Sequence, residues 1–196
     1  MNSILFKIAG QSSLNCYNTF RRLKAKIFTV MISKSFRALG TSTNIYPPLR
    51  LSAQEFISIG DGVHIGANSW LQVIPGYSTY LKGISIGNEV SVVDSIIISA
   101  ASNVIVEDSV LIARNVYISD HSHRYTSRTE AVKKQGIEKI SPVIIRKGAW
   151  IGQNSFICPG VTVGIGSVIG ANSFVQKDVP NFSVAVGTPA KVVKSF

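Results

Sequence analysis

Between Val143 and Val179 an aliphatic residue returns at every sixth position: Ile145, Ile151, Ile157, Val163, Ile169 and Val175. Four residues after each stands a small or branched side chain, Ala149, Ser155, Val161, Ser167, Ser173 and Val179, and glycine follows the aliphatic at Gly152 and Gly170. A helix repeats every 3.6 residues and a strand every two, so neither alone predicts a strict period of six. The pattern describes a coil in which each hexad forms one flat side and one corner. A unit with one apolar side chain cannot bury it alone, so copies stack into a solenoid.

The same period runs through the middle of the chain, with breaks. It starts at Ile57 and Ile59, passes through Ile65, and leaves the coil at Pro75–Tyr80. It resumes at Ile86, Val92 and Ile98, slips by two residues at Asn103-Val104, and continues through Val106, Ile112 and Ile118. From Ser119 to Ser141 it fails for more than 20 residues. A loop of that length within a rigid solenoid is uncommon and usually functional, and insertions between repeats cluster on the binding face. Pro180 ends the repeat. The predicted organisation is an N-terminal arm over 1–54, a solenoid over 55–182 carrying the 119–141 loop, and a tail over 183–196 that packs on the coils.

Residues 1–40 read as helical. Leu5, Ile8 and Ala9 share one face and Leu23, Ile27, Val30 and Met31 another, with Arg21, Arg22, Lys24 and Lys26 between them. Gly10, Ser12-Ser13 and Gly40 are the expected breaks. Charge changes this picture. The net charge of +10 resides in the arm: residues 1–54 hold eight Lys or Arg and no acid, whereas the remainder holds 12 basic and 10 acidic residues. Such an arm suits two roles, capping the solenoid's open end and lying on an anionic membrane surface. Both hold together if its apolar face turns inward and its basic face outward. No aromatic platform or reading motif accompanies the charge, which argues against nucleic acid.

No apolar run approaches the 18 or so residues of a membrane span, and Lys7, Arg21 and Arg22 interrupt anything resembling a signal peptide. Cys16 and Cys158 lie far apart, with no disulfide framework, which suits a reducing cytoplasm or the inner face of its membrane.

The candidate chemistry sits where the period fails. Asp120-His121-Ser122-His123-Arg124-Tyr125 opens the long loop. Imidazole titrates near working pH, so His121 suits a general base that removes a hydroxyl proton. His123 shares its face if the strand continues, whereas His64 precedes a repeat aliphatic and reads as structural. Something must hold the imidazole's tautomer. Asp120 is adjacent, but neighbouring strand residues face opposite ways, which leaves a backbone carbonyl or Asp94 as the other candidates.

The hexads, Ser119–His123, Pro142-Val143 leading to Ala149-Trp150-Ile151-Gly152, and Gly187-Thr188-Pro189-Ala190-Lys191 together resemble the hexapeptide-repeat acyltransferases. The branch resembled is the maltose/galactoside acetyltransferase-like one, which includes O-acetyltransferases of bacterial surface polysaccharides. The resemblance runs from about residue 56 to the end. It implies an all-β solenoid, a left-handed parallel β-helix, working as a cyclic homotrimer on acetyl-CoA without a metal. It assigns His121 as the catalytic base, and Asp94, His123 and Trp150 to the acceptor, a glycan or lipid-linked sugar. It assigns Ala113, Gly152, Gln153, Ala171, Gln176, Lys177, Lys191 and Lys194 to coenzyme A. Val93 stands where related enzymes often carry Asn, a departure that touches acceptor recognition. Other acceptors in the same class are a small sugar, an antibiotic, serine or a nucleotide-linked amino sugar. Two rival classes share the hexads: a β-helical carbonic anhydrase, for which three histidines are present, and a non-catalytic scaffold.

Overall fold

The computed structural model describes the backbone from Asn2 to Phe196 and the side-chain surroundings from Gln11 onward. Three sheets run the length of the solenoid, two of six strands and one of eight, and each coil of chain gives one strand to each sheet. Coil one is Ala38–Leu39, Asn44–Ile45 and Leu49–Ser52; coil two is Ile57–Ile59, His64–Ile65 and Ser69–Val73. Coil three is Gly83–Ile86, Ser91–Val92 and Ile97–Ala100; coil four is Asn103–Val106, Leu111–Ile112 and Tyr117–Ser119. Coil five is Val143–Ile145, Trp150–Ile151 and Phe156–Ile157; coil six is Thr162–Val163, Val168–Ile169 and Phe174–Val175. Successive coils pair in parallel, so the fold is a parallel β-helix.

The period of six is the stacking rule. Ile59, Ile86, Val106, Ile145 and Val163 form one internal column on sheet one. Ile45, Ile65, Val92, Ile112, Ile151 and Ile169 form the column on sheet two, all fully buried. Leu71, Ile98, Ile118, Ile157 and Val175 form the third. Each buried aliphatic contributes roughly 1.5–3 kcal/mol, so the columns are the core. The corner between sheets two and three needs a left-handed residue, and Asn68, Asn115, Asn154 and Asn172 supply it with φ of 56–60°. Asparagine tolerates that conformation better than other side chains with a Cβ. Asn115, Asn154 and Asn172 also bond side chain to side chain, at 3.2 and 3.0 Å, down the corner.

The solenoid starts earlier than residue 55. Leu39, Ile45 and Leu51 already repeat every sixth residue, and coil one pairs with coil two throughout. The arm is therefore a single helix, α1 (Asn2–Ile32), followed by a 3-10 turn at Ser33–Ser35. Gly10 and Ser12-Ser13 do not interrupt it, because one glycine costs a helix only about 1 kcal/mol. The expected face of Leu5, Ile8 and Ala9 lies outside the residues whose side chains are described.

The second expected face is the reverse of what is observed. Leu23, Ile27, Val30 and Met31 are 53–76% exposed, and the helix packs through Ala25 and Thr29, with Phe28 and Ile32 against the core. The reason is a backbone donor. Thr29 Oγ1 accepts the Ile45 N–H at 2.8 Å, satisfying an edge group of coil one that no further coil reaches, and close approach there demands small residues. At the other end Ser183–Gly187 continues sheet two, and Ala190–Ser195 pairs antiparallel with it as a hairpin.

The long loop leaves coil four after Ser119 and returns with Val143 paired to Val104, so the insertion costs no register. Ser122–His123 pairs antiparallel with Ile137–Glu138 at its base. The Gln135 side chain braces its tip by accepting the Ser127 N–H and donating to the Glu130 carbonyl.

Candidate active site

The neck of the loop is built by its first residues. Asp120 is fully buried, and its carboxylate accepts the N–H groups of Ala101, Ser102 and Asn103 at 2.8, 2.7 and 2.7 Å. These three residues lie at the slip in the period, where sheet three of coil three (ending at Ala100) turns into sheet one of coil four (starting at Asn103). Coil four departs into the loop here, so no coil strand lies above that corner to take its donors, and the carboxylate takes them. The neck closes where the Ser141 N–H donates to the Asp120 carbonyl at 2.8 Å.

The same carboxylate holds His121. Nδ1 lies 2.9 Å from Asp120 Oδ1 and 3.3 Å from Ser119 Oγ, and the residue is 8% exposed. Burial on its own would raise the Asp120 pKa. The hydrogen bonds from His121 and from the three backbone N–H groups outweigh it and hold the carboxyl below its ordinary value. An ionised carboxylate only accepts, so Nδ1 carries a proton, and the neutral ring is held in the tautomer that leaves the lone pair on Nε2. The alternation argument against Asp120 is thereby overturned. The chain bends at Asp120 instead of continuing as a strand, and adjacent side chains converge.

Beside the neck a cleft of about 530 Å³ opens between Tyr125 and Lys139 of the loop and Phe156 and Phe174 on sheet three, with Cys158 and Gln176 also lining it. Burial raises the Cys158 pKa, which keeps it a thiol and suits packing better than nucleophilic chemistry.

The remaining expected residues divide between two corners. Gln176 and Lys177 follow sheet three of coil six, at the same corner of the triangle as His121. Ala113, Gly152, Gln153 and Ala171 stack instead at the corner after sheet two, where Ala113 N–H donates to Ile151 and Gly152 N–H to Ile169. A Cβ on Gly152 would lie 2.5 Å from the Ile169 carbonyl oxygen, so glycine is required there by coil stacking alone. Asp94 belongs to this second corner, clasped by Arg114 through two bonds of 2.7 Å. Trp150 precedes it on the outer face of sheet two, 48% exposed, between Leu111 and Val168. Lys191 and Lys194 lie on the exposed tail strand that extends sheet two.

His123 is exposed on the loop hairpin and does not join His121. His64 sits on coil two against the Tyr46 ring at 4.9 Å, and burial lowers its pKa. Among the described residues no three His, Cys, Asp or Glu side chains cluster as metal ligands. The sequence reading missed Arg114, whose signal was its place one coil above Asp94. It also missed Arg21 and Arg22, which line a cavity with Tyr46, His64 and Asp94.

A family pattern described as the hexapeptide repeat of succinyl-transferase matches residues 56–100 and 142–177, leaving out coil four and the loop. A probable acetyltransferase of Mycobacterium tuberculosis is 34% identical over 165 residues, 84% of this chain and 52% of its own length. Galactoside O-acetyltransferase of Escherichia coli is 37% identical over 132 residues, 67% of this chain and 63% of its own. The putative lipopolysaccharide biosynthesis O-acetyl transferase WbbJ of Escherichia coli is 32% identical over 119 residues, covering 58% and 61%. The chain thus spans between 52% and 63% of the length of these relatives. Among solved structures, an N-acyltransferase from Bacillus cereus in complex with dTDP and 3-hydroxybutyryl-CoA superposes with a TM-score of 0.68 at 19% identity, over 84% of this chain and 86% of that one. A galactoside acetyltransferase in complex with coenzyme A superposes with a TM-score of 0.58 at 25% identity, over 90% and 81%.

Proposed function

Because the chain belongs to the hexapeptide-repeat acyltransferase family, in its maltose/galactoside acetyltransferase-like branch, we propose that it transfers an acetyl group from acetyl-CoA to a sugar hydroxyl in the biosynthesis of a bacterial surface polysaccharide. The observation that carries the reading is the Asp120–His121 pair at the neck of the largest interruption. His121 Nε2 takes the acceptor's hydroxyl proton as the oxygen attacks the thioester carbonyl carbon. The C–S bond then breaks, and the imidazolium returns its proton to the departing sulfur. Asp120 keeps the productive tautomer and stabilises the imidazolium through the bond to Nδ1.

Acetyl-CoA is a substrate here. The small side chains at Ala113, Gly152 and Ala171 suit close approach of a pantetheine arm, with Gln153, Gln176 and Lys177 beside it. Lys191 and Lys194 supply charge for phosphates. Ala113, Gly152, Gln153 and Ala171 occupy a different corner of one protomer from His121, Gln176 and Lys177, which favours a threefold ring in which neighbouring copies complete each site across a heterologous interface. Asp94 and Trp150 then face the acceptor from the neighbour, and His123 reaches it from the loop.

His121→Ala should lower transfer by a factor on the order of 10² or more while the protein stays folded and binds coenzyme A. Unchanged turnover would remove His121 from the mechanism.

The outward stripe of α1 supports work at the inner face of a membrane. Phe20, Leu23, Ile27, Val30 and Met31 are 53–76% exposed, on the side opposite the cap. Lys24 and Lys26 flank them, and each basic residue adds about 1 kcal/mol near an anionic bilayer. No described helix is long and apolar enough to cross a membrane. The protein should float with phosphatidylglycerol vesicles, and Leu23→Glu/Ile27→Glu should abolish this. Equal recovery of both proteins would remove the stripe from membrane contact.

A further inference from the structure

On the side of α1 turned toward the solenoid lies a cavity of about 350 Å³, lined by Arg21, Arg22, Tyr46, His64 and Asp94, with Gly66 and Val93 among its other walls. That volume falls within the range of small-molecule sites, roughly 300–1,000 Å³, and exceeds what a lone ion needs. Its charge is unbalanced. The Asp94 carboxylate is matched by the bidentate Arg114, whereas Arg21 and Arg22 make no ion pair among the described residues. Arg21 is placed by the rings of Tyr17 and Tyr46, 5.8 and 5.7 Å from its Cζ. Burial lowers the His64 pKa and so favours its neutral ring, which offers a hydrogen bond.

Adjacent residues leave a helix about 100° apart, and both arginines reach this one cavity, an arrangement suited to two neighbouring oxyanion groups. Beside them, Asp94 keeps lone pairs beyond those that Arg114 uses and accepts from hydroxyl groups. Oxyanion donors at one end and a hydroxyl acceptor at the other describe a sugar joined to a diphosphate.

We propose that this cavity binds the diphosphate of an activated sugar acceptor, Arg21 and Arg22 taking phosphate oxygens and Asp94 a sugar hydroxyl. The word acceptor rests on the acetyl-transfer reading above; the anion site does not. The diphosphate comes from a nucleotide sugar or from a polyprenyl lipid. Outward placement of the stripe on the same helix favours the lipid.

The test is calorimetric titration of the full chain with inorganic pyrophosphate at saturating coenzyme A, which occupies the protein's other phosphate site. Parallel arms use a nucleoside diphosphate sugar, a short polyprenyl diphosphate sugar in detergent, and a neutral methyl glycoside. Pyrophosphate should bind, and Arg21→Gln/Arg22→Gln should weaken it about tenfold or more. Melting temperature and coenzyme A affinity should not change, since both side chains are exposed. Both sugar diphosphates should lose affinity in step, and the tighter of the two identifies the source. Wild-type protein that ignores pyrophosphate, or a variant that binds it equally, overturns the proposal. Arginine-dependent pyrophosphate binding without acetylation of any glycan supports the anion site and overturns the acetyl-transfer reading instead.

Discussion

The two corners flanking sheet three solve the same backbone problem in opposite ways. At the corner after sheet two, every coil continues into the next. Its N–H groups bond coil to coil, as Ala113 to Ile151 and Gly152 to Ile169, and the Asn115–Asn154–Asn172 ladder fills the left-handed positions. At the corner after sheet three, coil four departs at Asp120, and three N–H groups of the coil below lose their natural partner. A single carboxylate replaces it. The regular corner consumes its backbone N–H groups in coil-to-coil stacking. The interrupted corner gathers a buried charge, and that charge has an imidazole attached.

The sharpest way to break this contrast is to mix two inactive proteins. His121→Ala removes the interrupted corner's imidazole, and Ala171→Trp blocks the regular corner at an exposed position. If one site takes a corner from each of two copies, co-assembled trimers of these variants should regain transfer that neither homotrimer has. Continued inactivity of verified mixed trimers would place both corners of a site within one copy.

Asp120→Asn tests the interrupted corner directly. An amide cannot accept three N–H bonds and hold Nδ1, so the variant should lose about 3 kcal/mol of stability by denaturant unfolding, together with most activity. The pH dependence has a definite sign. The folded pKa of Asp120 lies below its ordinary 3.8, so its stabilisation is complete above that value and is lost as pH falls through the folded one. Wild-type stability should fall more steeply in acid than that of the variant, whose remaining limb comes from carboxylates such as Asp94, held low by Arg114. Equal slopes would assign the whole limb to other carboxylates.

The smallest effect belongs to the regular corner. Asn154 holds φ 59°, so Asn154→Ala should cost about 1 kcal/mol, Asn154→Gly still less, and neither should change activity. A large loss of turnover from either would blur the distinction between the corners.

Most of the solenoid is legible in the sequence because one buried aliphatic per side leaves a mark that nothing else produces. Coil one escaped because Gly40 reads as a helix break and Pro47-Pro48 interrupts the spacing of Leu39, Ile45 and Leu51. The docking face of α1 escaped for a different reason. Large apolar residues mark a face that wants cover, but this cap uses Ala25 and Thr29, chosen by closeness and by one backbone donor. The break after Ser119 was legible, and with it His121 as a candidate. Its partner was not, because alternation holds only while a strand continues, and the chain bends at Asp120.

The sealed neck has a consequence for how such proteins diversify. Asp120 satisfies the coil below, and Ser141 closes on its carbonyl. Everything from 122 to 140 therefore hangs from a joint already complete without it. Substitutions, insertions and deletions in that span leave the solenoid's accounts unchanged. The loop is free to drift in length and chemistry while the scaffold and the Asp120–His121 pair are inherited intact.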